Sequence, residues 1–168
     1  MSRSGLGLSW GGAPAPLRAL ARWITIVQLV GYTASLLFVH HTTGMRPDGI
    51  TARYRGDEAG AGGDPMQFRK SLTEMLSITH THLFSMAVIF VLSGAALAFC
   101  ERPSPRARRW LITEPFVALL VSFGAMWLMW GVDARFGWLL MASSTLMALT
   151  FYLQAFYILR ELGWRDAG

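Results

Sequence analysis

The chain has 168 residues, 53% of them hydrophobic and 15% charged, with a mean hydropathy of +0.38 and a formal net charge of +5. That is too apolar for a soluble domain of this size and indicates a single integral membrane domain. The arginines are scattered at the ends of apolar runs, which argues against nucleic acid, and the single cysteine, Cys100, excludes an intramolecular disulfide, a cysteine-paired metal site and a C-x-x-C-H haem attachment.

Residues 1–16 hold four glycines and two prolines. With the stretch up to Arg22 they read as a flexible cytoplasmic leader, 1–22. Arg18 and Arg22 precede an apolar run from Trp23 to Val39, which has the n-region and h-region of a signal peptide. No small-x-small cleavage site follows, because the run ends in His40-His41-Thr42-Thr43, so a retained first span is expected.

A bilayer crossing needs about 20 mostly apolar residues. The sequence offers four such runs, at about 23–41, 80–100, 110–130 and 136–160, which make a membrane domain over 23–160 followed by a cytoplasmic tail, 161–168. The connection over 42–79 begins irregularly, with six glycines and Pro47 up to residue 64, beginning at Gly44 and Gly49. Asp64-Pro65 is a helix-start signal, and Phe68, Leu72, Met75 and Leu76 recur at helical spacing opposite Arg69, Lys70 and Glu74. An amphipathic helix on the membrane surface or docked on the bundle is expected there. The short turns at 101–109 and 131–135 force antiparallel neighbours. The predicted fold is all-α, an integral membrane four-helix up-down bundle with an extra amphipathic helix in the outer connection between spans one and two. Small residues for close packing include Gly31, Ser35, Ser93-Gly94-Ala95, Ser122, Gly124-Ala125 and Ala142-Ser143-Ser144.

Basic residues in the short segments set the orientation. Arg3, Arg18 and Arg22, the four arginines of 102–109, and Arg160 with Arg165 fall on one side. The positive-inside rule then places both termini in the cytoplasm of a bacterial inner membrane and the 42–79 connection outside.

All four histidines lie at the two ends of that connection, His40 and His41 where the first run closes and His80 and His82 where the second opens. Neutral imidazole is the commonest protein metal ligand, and bundles hold cofactors between histidines of facing helices. His80 and His82 point about 200° apart on a regular helix, so each has its own face. His80 continues into Phe84, Ala87, Val91, Gly94 and Ala98, a stripe with room for a flat ring opposite His40 or His41. His82 with Met86 at i,i+4 suggests a soft copper-type site instead. The candidate ligands for b-type haem, or alternatively for copper or zinc, are therefore His40, His41, His80 and His82. Arg53, Arg55 and Arg135 stand on the same side to meet haem propionates. The bland alternative is that the four rings cap helix ends or meet lipid headgroups.

Glu114, followed by Pro115, is expected to stabilise a helix N-terminus beside a Thr113 cap, with a proton-path or quinone-contact role as the alternative. Gln28, Tyr32, Gln154 and Tyr157 are expected to hydrogen-bond between helices. Asp133 and Arg135 read as a turn pair.

Four spans with histidines facing one another across the first two resemble the four-helix membrane cytochromes b. The phrase Thr79-His80-Thr81-His82-Leu83 after His40-His41 is also similar to a pattern in small bacterial inner-membrane proteins. The first resemblance implies non-covalent haem and electron passage to or from a quinone or a c-type cytochrome. It departs in one respect, since no histidine lies near the inner face and only one side of the membrane is equipped. The reading that follows is a haem- or metal-binding membrane protein, with electron transfer within a larger respiratory-type assembly. Its partners would be the lipid bilayer and a membrane-protein complex, with no nucleic acid. The alternative is a cofactor-free accessory or assembly subunit with structural histidines. No nucleophile, general base or phosphate loop identifies an independent enzyme, and no span interrupted at mid-depth or inverted repeat supports a transporter.

Overall fold

A computed structural model of the chain describes residues 9–56 and 67–163, and among these residues the regular secondary structure is five α-helices. Each long helix starts where local chemistry permits. Helix α1 (Ala15–Thr43) has Pro16 in its first turn and ends at Gly44, whose φ of 61° turns the backbone left-handed while its N–H donates to the His40 carbonyl at 2.9 Å. Helix α2 (Pro47–Arg55) opens on proline, followed by Asp48 in its first turn. Helix α3 (Leu72–Ala98) starts with a capping box: Ser71 Oγ accepts from the Glu74 N–H at 3.3 Å, and the Ser71 N–H donates to Glu74 Oε2 at 2.7 Å. Helix α4 (Pro105–Gly131) is capped by Ser104, and α5 (Phe136–Gly163) follows the turn at 132–135.

The four long helices are each long and apolar enough to cross a membrane, and they run up, down, up and down. Two buried clusters fix that order. At the arginine-rich end, Ala21 of α1, Leu97 of α3, Leu111 of α4 and Ile158 and Leu162 of α5 pack together. Further along, Tyr32, Phe90, Ala118, Leu119, Met147 and Phe151 form a second cluster. The most extensive helix pair is α4 with α5, whereas α1 touches its neighbours sparsely and leaves Trp23, Val27 and Val30 about two-thirds exposed at 65%, 66% and 66%. Of the small residues, Ser93, Gly94, Ser122, Ala125 and Ser143 are buried between helices, with Ser122 and Ser143 hydroxyls 2.8 Å apart, while Gly31, Ser35, Gly124 and Ala142 are exposed.

Three differences from the sequence expectation have physical causes. The extra helix in the long connection is α2, in the glycine-rich stretch that reads as irregular. Gly49 there is a close-approach residue, since a Cβ on it would collide with the Thr43 carbonyl at the end of α1. The Phe68 to Leu76 pattern does not form a separate helix after Asp64-Pro65, a start that lies outside the described residues. The capping box at Ser71 makes Leu72, Met75 and Leu76 the first turns of α3 itself. Finally, the predicted flexible leader is docked from residue 9 onward. Trp10 is buried against Phe99 and its indole N–H donates to the Ala96 carbonyl at 2.9 Å.

Candidate cofactor site at the histidine end

The four histidines are brought to one end of the bundle, as the spacing predicts: His40 and His41 in the last turn of α1, His80 and His82 in the third turn of α3. All four side chains are exposed. Register separates them further. His40 continues the stripe of Tyr32 and Leu36, and His82 stands one turn before Met86; Tyr32 belongs to the second cluster, and Leu36 and Met86 pack against it. These two histidines therefore continue, at the end of the bundle, the α1 and α3 stripes that pack into the second cluster, while their own side chains are exposed. His80 sits edge-on to Phe84 with ring centroids 5.1 Å apart, and its stripe turns Phe84 and Val91 outward before Gly94 is buried. Met86 packs against the aromatic cluster.

His82 is the most organised of the four. Its Nδ1 lies 3.0 Å from the Ile78 carbonyl one turn back. A carbonyl only accepts, so Nδ1 carries the proton in this bond, and in a neutral ring the lone pair is then on Nε2. A neutral ring of this tautomer can ligate a metal or haem iron through Nε2, with a backbone carbonyl in the outer position that commonly orients such ligands. Among the described residues, no group of three or more His, Cys, Asp or Glu side chains converges.

The three arginines have different occupations. Arg55 donates to the Met129 carbonyl at 3.2 Å, closing the end of α4, and Arg135 makes a bidentate pair with Asp133. Arg53 lies over the Phe38 ring at 5.5 Å, one turn from His41 on α1. It is the guanidinium nearest in register to the histidine pairs. The segment that enters α3 and the start of α3 itself are clamped to α4: Trp130 Nε1 donates to the Lys70 carbonyl at 2.9 Å, and Trp127 Nε1 to Thr79 Oγ1 at 3.0 Å. Cys100 stands at the opposite end from the histidines, where burial and then the nearby negative charge of Glu161 push its thiol up to about 12.

Glu114 does not stand at a helix N-terminus. Helix α4 begins at Pro105 and runs through Pro115, and the Thr113 hydroxyl bonds back to the Arg109 carbonyl at 3.1 Å in place of capping. The carboxyl is buried inside the bundle. Sequence reasoning marked Glu114 and Gln154 separately, took Ser93 only as a small packing residue and missed Thr25; both Ser93 and Thr25 are buried. A proline inside an apolar run was the available signal, because it leaves a carbonyl one turn back in need of a donor.

Residues 44–167 match the model of the Aq_1264_TM family, described as a transmembrane helical domain, and the chain belongs to that family. It is thus an integral membrane protein with four candidate spans. No curated protein and no solved structure matches it.

Proposed function

We propose that the protein is a membrane-embedded haem- or metal-binding subunit in which His82 of α3 and His40 of α1, at the same end of the bundle, supply the ligands, with His41 and His80 beside them. The observation that carries this reading is the Ile78 carbonyl on His82 Nδ1, which leaves Nε2 free to bind. Arg53, with its flat charged fork, is placed to meet a propionate or another anionic edge. When bound, b-type haem would supply one-electron chemistry, consistent with a role in a larger respiratory-type assembly, and copper or zinc are the alternative occupants. The arginine-rich end would face the cytoplasm and the histidine end the outside.

The test is made on the full chain purified in detergent, supplied in turn with haemin, copper and zinc. A reduced-haem absorbance band, or stoichiometric metal retained after desalting, that His82→Ala largely removes is the expected result. The protein remaining colourless and metal-free under all three conditions, or binding equally well with all four histidines replaced by alanine, would overturn the reading. A second reading, a cofactor-free accessory subunit, is supported by the sparsely covered α1, whose outward face is open to lipid or to another subunit.

A further inference from the structure

Between the two apolar clusters every long helix contributes polar residues to one level: Thr25 and Gln28 from α1, Ser93 from α3, Glu114 from α4 and Gln154 from α5. The chain builds this level around Pro115. Proline has no N–H to offer the Leu111 carbonyl, and Gln154 Nε2 takes that place from across the helix interface at 2.6 Å. On α1, Gln28 Nε2 likewise reaches a backbone carbonyl, that of Ile89, at 3.4 Å. The Thr25 hydroxyl donates to the Ala21 carbonyl and that of Ser93 to the Phe90 carbonyl. Each of these donor atoms therefore serves a backbone carbonyl, and none bonds to Glu114.

What is left is acceptors. Among the described residues, the buried side-chain oxygens without a hydrogen-bond partner are Gln28 Oε1, Gln154 Oε1 and both oxygens of Glu114. Glu114 is 7% exposed and Gln154 fully enclosed. The titratable groups around the carboxyl are Tyr32 of α1, which lies within its electrostatic range, and Tyr152 of α5, set edge-on to Tyr32. The α3 residues at this depth, Phe90, Ser93 and Gly94, carry no charge, and no ion pair involves Glu114 among the described residues. A buried carboxylate with no hydrogen-bond donor or ion pair in low dielectric is strongly disfavoured. A species that brings positive charge to the carboxyl and a donor to this level resolves both deficits at once.

We propose that Glu114 is an intramembrane proton-binding site, a carboxylate that takes up one proton to give a neutral carboxylic acid, which removes the unpaired charge and adds an O–H donor beside the unpartnered oxygens of this level. The proton enters from and returns to water, so the step is a simple protonation equilibrium with no other reactant. Gln154 and Gln28 are positioning residues: their amides are fixed by backbone carbonyls, which leaves their oxygens turned to accept. The site is separate from the histidine end and does not depend on anything binding there.

Carbodiimides of the dicyclohexyl type react with protonated carboxyls in apolar surroundings. The full chain in detergent is treated with dicyclohexylcarbodiimide across a pH series and its adducts are located by peptide mass spectrometry. Expected are one adduct on Glu114, labelling that falls as pH rises, loss of the adduct in Glu114→Gln and its retention in Glu114→Asp. Absence of modification at Glu114 at every pH in protein that still unfolds cooperatively would overturn the proposal. So would suppression of the adduct by sodium chloride but not by choline chloride at fixed pH, which would make the occupant a metal cation. Should Glu114→Gln fail to fold, the pH series on the unaltered chain decides alone.

Discussion

Two buried glutamates lie in the arginine-rich half of the bundle, and their surroundings are opposite. Glu161, near the end of α5, is 4% exposed and accepts from the Glu101 N–H at 3.0 and 3.2 Å and from the Arg102 N–H at 3.4 Å, tying α5 to the turn that joins α3 and α4. Its charge is met by donors that the turn supplies, and the Cys100 thiol registers that charge. Glu114 is equally buried and meets none. Burial alone therefore does not decide what a carboxyl does in a membrane bundle. The supply of N–H groups does: at Glu161 an anion is held in place, and at Glu114 a proton must substitute for the donors that are missing.

The largest expected effect comes from opening the seal over the unpaired carboxyl. Phe151 is fully buried, stacks on Tyr32 with centroids 4.5 Å apart and closes the polar level from the histidine side. Phe151→Ala should lower unfolding stability in detergent by about 3–5 kcal/mol, as deletion of a packed ring does. A loss below about 1 kcal/mol would mean that the level is already open and that the contrast between the two glutamates is overstated.

Replacing each glutamate by leucine sharpens the contrast directly. Glu161→Leu strands the N–H groups of Glu101 and Arg102 and should cost about 1–3 kcal/mol. Glu114→Leu strands no donor and removes a poorly solvated group, so it should be close to neutral or stabilising. Denaturation of both variants side by side, read by near-UV circular dichroism, checks the difference, and equal losses would break it.

The fold was legible where the chain alternates between long apolar runs and charged breaks, since lipid leaves helices as the simplest way to satisfy the backbone. The helices outrun the runs that announced them. Arg18 and Arg22 fall inside α1, and Arg106, Arg108 and Arg109 inside α4, because long basic side chains can follow a helix into the interface; Arg22 reaches the Leu162 carbonyl at 2.7 Å. Helix α2 was hidden by glycine, whose usual sense as a breaker is the wrong one at Gly49. The gathering of the histidines at one end followed from topology alone. Their rotation did not, because a side chain at a helix end is aimed by its neighbours: by the Ile78 carbonyl for His82 and by the Phe84 ring for His80. Gln28 and Gln154 do bond between helices, but to backbone carbonyls. That preference becomes visible only when the proline gap at Leu111 is seen beside Gln154.

A third carboxyl extends the contrast to water, with the smallest effect. Asp133, in the turn between α4 and α5, accepts from the Arg135 guanidinium at 2.9, 3.1 and 3.2 Å and from the Arg135 backbone N–H at 2.8 Å. The guanidinium first, and then the backbone N–H, hold its carboxyl down from the ordinary 3.8 to about 2. Because the value falls on folding, the stabilisation from this pair is fully present above about 3.8 and fades as the pH drops toward about 2. Solvent screens so exposed a pair, so the contribution is small. Asp133→Asn should leave the unfolding midpoint at neutral pH nearly unchanged and flatten its decline over that acid interval, measured as thermal midpoint against pH. If the variant declined as steeply as the parent, the Asp133–Arg135 pair would contribute nothing to the acid limb, and supplying donors to a carboxylate would matter only where water is excluded, as at Glu161.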